Sequence, residues 1–282
     1  MALIRSLAER IGPLTAASSI YLLGGALSLG QVIYSGHLKN QIQGLPRLYL
    51  LGCGAFFALY MFSIYLGIGL ASSRLQALEI GLLNYLWPAL ILVFSVFLLG
   101  KRPHLLLVPG TLISILGVLL VLTQGASISW SSFSRNVASN PPAYALGLTA
   151  GISWALYSTL ARRWGGPQSG AGIPFFMVAT GLVLLLFRFF HAEQSQWSFR
   201  AISEMLFMSL ATLVAYASWD TAMRKGDVVL LGACSYFIPL LSALVSCLYL
   251  KIAPELNLWL GCGSIILGSL ISWASVSDRT PL

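Results

Sequence analysis

The sequence predicts an all-α polytopic membrane protein. It is built from two inverted five-helix repeats, with the first helix largely missing in this chain, which leaves nine spans. Three observations predict this: charge is scarce, apolar residues fall into nine long runs, and the chain repeats itself at an offset of 151 residues.

Only 9% of the 282 residues are Asp, Glu, Lys or Arg, against about 25% in a soluble domain. The apolar set makes up 57%, and the mean hydropathy is +0.85. So few charges cannot coat a water-facing surface, which excludes a soluble enzyme, a disordered chain and a fibrous one. The formal charge of +8 and pI of about 9.5 do not point to nucleic acid. The basic residues come in ones and twos between apolar runs, with no basic stripe and no aromatic–basic platform. They read as loop cations holding helices in a lipid bilayer.

The runs are Leu14–Ser35, Leu48–Ser73, Leu75–Leu99, Leu105–Thr123, Ala143–Ala161, Gly170–Phe187, Met205–Ala222, Val228–Leu250 and Leu256–Ser277. A helical span needs about 20 apolar residues. In lipid every peptide group must bond within its own segment, so runs this long are helices. Barrel strands are shorter, about 10 residues, and alternate. Most connections are short, such as Gly100-Lys101-Arg102-Pro103-His104. The longest, Gln124–Pro142, is rich in Ser and Asn and reads as a linker near mid-chain. Met1 to Arg10 is too charged for a signal peptide.

The repeat runs without gaps from about Tyr65 to Leu120. Gly81 matches Gly232, Tyr85 matches Tyr236, and Pro88 matches Pro239. Pro103 matches Pro254, Gly110 matches Gly261, and Gly117 matches Gly268. Shared apolar composition aligns leucines, but it does not hold three glycines, two prolines and a tyrosine in register. Upstream, Arg10-Ile11-Gly12-Pro13 resembles Arg163-Trp164-Gly165-Gly166-Pro167. The run Ala143–Ala161 then has only Ala2-Leu3-Ile4-Arg5 as a partner. The unit is thus five helices, and Met1 is expected to be internal to a longer natural protein or to begin a truncated form. An odd number of helices sends the two copies through the membrane in opposite directions, the plan of secondary transporters. Residues 1–125 form the first repeat, 126–142 the linker and 143–282 the second repeat.

Orientation follows from the basic residues of alternate loops. One side holds Lys39, Arg47, Lys101, Arg102, Arg162, Arg163, Arg224, Lys225 and Arg279. The other holds Arg5, Arg10, Arg74, Arg135, Arg188, Arg200 and Lys251. The richer side is the cytoplasmic one by the positive-inside rule, which places the C-terminus inside.

The most unusual stretch is Gln76-Ala77-Leu78-Glu79-Ile80-Gly81-Leu82-Leu83-Asn84-Tyr85-Leu86-Trp87-Pro88. Its repeat partner centres on Ser235-Tyr236-Phe237-Ile238-Pro239. A mid-helix proline frees a carbonyl and bends the helix. Asn84 or Ser235, one turn before, can re-satisfy such a carbonyl. Two such bends related by pseudo-symmetry would line a cavity and flex, with Pro88 and Pro239 as hinges; helix packing with a harmless kink is the alternative. Glu79 is an intramembrane acid and therefore a functional candidate, unless it pairs with Arg74 at a membrane face. Asp220, close to Arg224-Lys225, reads as half of an end-of-helix ion pair.

Trp130, Trp164, Trp197 and Trp259 suit an interfacial belt. Trp154, midway along its run beside Gly151 and Ser153, reads as inward. Gly24, Gly25, Gly147 and Gly151 suit close helix crossings, and Gly147-x-x-x-Gly151 has the small-xxx-small spacing. Cys53, Cys234, Cys247 and Cys262 lie inside runs and form no C-x-x-C pair. His37, His104 and His191 lie far apart at run ends. No metal or other cofactor is expected. No nucleophile constellation or P-loop is present, so the chain does not read as an enzyme.

Gln76-Ala77-Leu78-Glu79 through Asn84-Tyr85-Leu86-Trp87-Pro88 resembles the drug/metabolite transporter superfamily, and within its EamA-like group the aromatic amino-acid exporters of the YddG type. Ser235-Tyr236-Phe237-Ile238-Pro239 and Ala215-Tyr216-Ala217-Ser218-Trp219 resemble second-half motifs of the same exporters. The likeness covers nearly the whole chain. It implies ten helices in two inverted halves, a largely apolar central cavity, and export of aromatic and other neutral amino acids. It also implies that Asn84, Tyr85, Trp87, Ser235 and Tyr236 line or gate that cavity, with Trp154 and Tyr60 as neighbours. Two departures stand out: most of the family's first helix is absent, and Asp220 stands where an amide is expected.

The expected protein is a bacterial inner-membrane carrier that exports small amphipathic metabolites, amino acids with apolar or aromatic side chains, by facilitated alternating access. The substrate-binding set is Tyr60, Glu79, Asn84, Tyr85, Trp87, Trp154, Ser235 and Tyr236. The alternatives are a drug or other metabolite exporter with proton coupling through Glu79, and a non-transport membrane partner subunit.

Overall fold

A computed structural model describes residues 2–36, 43–122, 130–165, 172–250 and 256–277. The chain is all-α and polytopic. Its helices are α1 (Ala2–Ile11), α2 (Pro13–Tyr34), α3 (Leu48–Gly69), α4 (Arg74–Asn84), α5 (Trp87–Leu99), α6 (Leu107–Leu122) and α7 (Trp130–Ser139). They continue as α8 (Pro141–Trp164), α9 (Gly172–Phe189), α10 (Phe199–Lys225), α11 (Val228–Cys234), α12 (Phe237–Leu250) and α13 (Leu256–Ala274). Strand among the described residues is one antiparallel pairing of β1 (Arg102–Pro103) with β2 (Val276–Ser277).

Each of the nine apolar runs is mainly helical where it is described; two are broken, at Tyr85–Leu86 and Ser235–Tyr236, and the last ends in β2. Among the described residues, six helical stretches are long and apolar enough to cross a membrane: Pro13–Tyr34, Leu48–Gly69, Leu75–Leu99, Gly172–Phe189, Phe199–Lys225 and Leu256–Ala274. Leu107–Val121 and Val228–Leu241 are shorter apolar helices. Local chemistry sets several boundaries. Ser73 Oγ accepts the Gln76 N–H at 3.1 Å and caps α4, and Ser198 Oγ accepts the Ala201 N–H at 3.2 Å and starts α10 six residues before its apolar run. Asp227 accepts from the N–H groups of Val229 and Leu230 and starts α11.

The linker expected at 126–142 contains a helix, α7. Its apolar residues Trp130, Phe133 and Val137 recur at helical spacing, and Phe133 and Val137 pack against the Ile80–Ala143–Tyr144 cluster. The Ser- and Asn-rich composition hides that stripe from a hydropathy reading.

The chain forms two compact units, and each takes segments from both halves of the sequence. One comprises Met1–Phe62 and Leu160–Gly226. In it α2 runs antiparallel to α9, with Gly24 and Gly25 against Met177 and Val178, and Gly181 against Leu22. The helix breaks at Gly12 (φ 89°), and Gly12 has no side chain with which to cap α2. The orphan donors at a helix start need a partner. Glu193 supplies it, accepting the Leu14 and Thr15 N–H groups at 2.9 Å each and Thr15 Oγ1 at 2.8 Å. Arg188 joins this knot, donating to Thr15 Oγ1 at 2.7 Å.

A second polar knot lies toward the other end of α10. Its chain begins with a π-helical turn, Leu48–Cys53, at the start of α3. Tyr49 OH donates to Asp220 Oδ1 at 2.8 Å, and Arg224 Nε donates to Asp220 Oδ2 at 2.7 Å. Arg162 donates to the Arg224 carbonyl. The ion pair expected of Asp220 forms, and both its side chains are 1% exposed. Within this unit the basic residues therefore divide by helix end. Arg188 lies by Thr15, while Arg162 and Arg224 lie at the Asp220 end.

The other unit comprises Ser63–Thr159 and Asp227–Leu282. Its most extensive helix pairing is α6 against α13, and the repeat glycines make it. A Cβ on Gly117 would lie 2.8 Å from the Gly261 carbonyl oxygen, and one on Gly268 would lie 2.6 Å from the Gly110 carbonyl oxygen. Adding 151 to one helix and subtracting it from the other exchanges these two contacts. The same operation exchanges Gly117–Ile265 with Ser114–Gly268, and Val121–Gly261 with Gly110–Ser272. The two helices run antiparallel about a local pseudo-two-fold axis, and only glycine lets their backbones approach this closely.

This crossing gives a test on a single helix. Gly268→Ala must displace the backbone at Ser114 and Gly110 and is expected to cost about 1–3 kcal/mol. Gly263→Ala, on the open side of α13 with no atom within 4 Å, is expected to be neutral or stabilising by up to about 1 kcal/mol. Unfolding of the two purified variants in detergent measures the difference.

Candidate functional site

The two proline-bearing helices break where the sequence places the bends. α4 ends at Asn84 and α5 begins at Trp87; α11 ends at Cys234 and α12 begins at Phe237. Pro88 lacks the N–H that would bond the Asn84 carbonyl four residues back. That carbonyl faces α8 instead, where a Cβ on Gly151 would lie 3.0 Å from it. At the second break Ser235 Oγ donates to the Gly232 carbonyl at 2.6 Å. The side-chain bond proposed for the freed carbonyl thus forms one turn earlier.

α8 lies parallel to α4 and α5 and meets them with one face. Tyr144 reaches Glu79, Gly147 touches Ile80, Gly151 touches Asn84, and Trp154 meets Trp87. The last three pairs share a separation of 67 residues, as two parallel helices require. The spacing 144, 147, 151, 154 is one helical face. The small-xxx-small pair Gly147 and Gly151 brings the backbones together, so the rings on either side of it also meet.

At one end of this face Glu79 is fully buried. Its carboxylate accepts from Tyr144 OH and from Asn136 Nδ2 at 3.1 and 3.3 Å. Gln76 Nε2 donates to Ser139 Oγ at 3.0 Å, and Asn140 Nδ2 donates to the Leu70 carbonyl at 2.7 Å. These bonds tie α7 and the start of α8 to α4. The alternative partner, Arg74, has its side chain outside the described residues.

At the other end Trp87 and Trp154 are 5% and 6% exposed and meet edge to face, with ring centroids 6.2 Å apart. Tyr157, fully buried, packs against Trp154 at 5.2 Å. Asn84 lies between the ends. Its Oδ1 is buried and has no hydrogen-bond partner among the described residues. A buried acceptor left unpaired costs about 1–3 kcal/mol, so it marks a place where a ligand or water donor fits.

The structure thus brings Glu79, Asn84, Trp87 and Trp154 onto one interhelical seam. Tyr236 lies in the apolar core with Leu92, Val118 and Leu258, and Tyr85 packs against that same cluster. The Tyr236 hydroxyl is buried without a partner among the described residues. Ser235 is buried, as are Pro88 and Pro239. Tyr60 is half-buried on α3 in the other unit. The site chemistry is not duplicated: at the 151-residue offset Leu230 replaces Glu79 and Ile238 replaces Trp87, and both are exposed.

Sequence reading missed Tyr144 and Asn136 and did not place Tyr157 in the site. The helical face of α8 carried the signal for Tyr144 and Tyr157. Asn136 had none, because it sits in the stretch read as a linker. In the other unit Tyr21 was missed as well. Its hydroxyl lies 2.9 Å from Tyr216 OH and 2.8 Å from Met61 Sδ, beside Phe57.

Long apolar helices, two of them broken next to prolines, and a seam buried among them mark an integral membrane protein. Residues 1–123 and 141–274 match the EamA-like transporter family, and the chain belongs to that family. It is 31% identical over 278 residues to the aromatic amino acid exporter YddG of Salmonella typhimurium, covering 98% of this chain and 92% of that protein. The YddG exporter of Escherichia coli is 30% identical, with 96% and 90% covered, and that of Ancylobacter novellus is 28% identical, with 96% and 91% covered. A solved crystal structure is similar over 96% of this chain and 91% of its own, with a TM-score of 0.77 and 25% identity.

Proposed function

We propose that this protein exports aromatic and other neutral amino acids across the bacterial inner membrane by facilitated alternating access. The observation that carries the reading is the buried Trp87–Trp154 pair beside the Asn84 oxygen, unpaired among the described residues, at the break between α4 and α5. Aromatic faces take an apolar or aromatic side chain, and the amide oxygen takes a donor such as an ammonium. The naming of three relatives as aromatic amino acid exporters supports the same solute class.

In this reading residues 1–125 and 143–282 are inverted repeats, and the chain has nine spans. The exchange of the α6–α13 contacts at the 151-residue offset supports the inversion. Pro88 and Pro239 act as hinges, Tyr60, Tyr85, Ser235 and Tyr236 contribute to the solute path, and the C-terminus is cytoplasmic. Uptake of labelled phenylalanine into liposomes holding the purified chain tests the function. Saturable flux competed by tryptophan is expected; flux equal to that of empty liposomes overturns the reading.

One observation favours a second reading, proton coupling. The described hydrogen-bond partners of the buried Glu79 carboxylate are neutral groups, and an intramembrane acid of this kind is a candidate proton carrier. Glu79→Gln separates the two. Facilitated transport predicts that the variant keeps its flux within about threefold and responds to an imposed pH gradient as the parent does. Coupling predicts that gradient-driven accumulation is present in the parent and lost in the variant.

A further inference from the structure

Trp154 meets Trp87 across the seam with ring centroids 6.2 Å apart and planes at 78°. It also packs against Tyr157, whose centroid is 5.2 Å away and whose plane is tilted by 49°. Residues three apart on a helix are neighbours on one face. Helical side chains lean toward the N-terminus, so the Tyr157 ring lies over the turn that carries Trp154. Tyr157 is one of the largest fully buried side chains of the protein.

The backbone that carries these rings is held. From Ser153 to Thr159 every residue of α8 except Leu156 is buried. One turn earlier, Gly147 and Gly151 meet Ile80 and Asn84 with no side chain between. What the backbone leaves to be set is the tilt of the indole about its own side-chain bonds. The Tyr157 ring occupies space into which that indole would otherwise turn.

On the reading of the seam as the solute site, we propose that Tyr157 is a positioning residue: it fixes the tilt of Trp154 and so sets the preference for aromatic over aliphatic amino acids. The reason lies in ring electrostatics. Two aromatic rings attract at particular angles, offset-stacked or edge to face, because each carries a quadrupole. A leucine side chain carries none, and its contact with an indole follows buried area. Freeing Trp154 thus costs a phenylalanine ring more than it costs leucine. Tyr157 acts through Trp154 and does not touch the solute.

Initial flux of labelled phenylalanine and of labelled leucine into liposomes holding the full chain tests this. Tyr157→Ala is expected to lower the phenylalanine-to-leucine ratio of transport efficiency about fivefold, within the range one aromatic pair contributes. The loss falls on KM for phenylalanine with kcat kept within about twofold, as expected when a binding contact is removed uniformly. Tyr157→Phe keeps the ring and is expected to restore the parent ratio. Tyr157→Leu keeps apolar bulk without a flat face; it is expected to shift the ratio in the same direction and stands in should the alanine variant not fold. Phe176→Ala removes a buried ring beside Tyr49 and Phe57 in the other unit. It is expected to leave the ratio unchanged even where it lowers the melting temperature. Melting in detergent checks that each variant folds. The inference falls if Tyr157→Ala slows both solutes equally or leaves KM for phenylalanine unchanged, if Tyr157→Phe loses as much as Tyr157→Ala, or if Phe176→Ala shifts the ratio as far. Parent flux equal to that of empty liposomes is a separate result, which removes the solute site and this role with it.

Discussion

Trp87→Ala is expected to lower the phenylalanine transport efficiency of reconstituted protein about tenfold, while Trp259→Ala leaves it within a factor of two. The two residues are the same ring in different settings. Trp87 is 5% exposed and meets Trp154 edge to face; Trp259 is 57% exposed on the outer face of α13. An aromatic pair contributes about 0.5–1.5 kcal/mol beyond area burial. Losing one such contact to a solute ring, at the upper end of that range, is about a tenfold effect. Trp87→Phe keeps a ring and is expected to recover most of the loss. The assay is initial flux into liposomes at matched protein density. Equal losses from Trp87→Ala and Trp259→Ala would remove the seam as the site.

Asp220→Ala is expected to destabilise the fold by about 3–5 kcal/mol, the usual result of leaving one member of a buried ion pair uncompensated. Both side chains of the Asp220–Arg224 pair are 1% exposed, and Tyr49 OH also spends its hydrogen bond on Asp220. The D220A/R224A double variant is expected to be less damaged than the sum of the single changes, because no lone charge remains. Arg200→Ala supplies the contrast. Its bond to Glu204 has the same i,i+4 spacing, but the Arg200 side chain is 68% exposed, so its loss is expected to cost no more than about 1 kcal/mol. Chemical unfolding in mild detergent ranks the three. A loss from Asp220→Ala as small as that from Arg200→Ala would mean that the knot at the start of α3 does not hold the unit together.

Much of this architecture was legible before any coordinates. Lipid accepts only internally bonded backbone, so apolar run length alone located most of the helical segments, although not α7. Proline chemistry located both helix breaks. Two of the three glycine pairs that recur at 151 residues, Gly110 with Gly261 and Gly117 with Gly268, stand at the α6–α13 crossing, and Gly147 and Gly151 stand where α8 meets α4. These features are local, or periodic along one helix, and sequence displays them directly.

Other features were not legible, because they depend on partners far apart in the chain. Glu193 caps a helix that begins about 180 residues earlier. Asp220 looked like a helix-end acid beside two cations, but Tyr49 and its own burial make it part of an interior knot. That Tyr85 and Tyr236 meet Leu92, Val118 and Leu258 was likewise unmarked in the sequence.

By itself the sequence determined the solvent, the helices, their breaks and the small-residue crossings, because each follows from the cost of unbonded backbone in lipid and from the reach of a side chain along its own helix. Only the tertiary structure decided that Glu79 meets Tyr144 and Asn136, that Trp87 meets Trp154, and that Asp220 is buried. Those outcomes rest on which helix faces come together, and the apolar environment that surrounds every helix leaves that choice unmarked in composition.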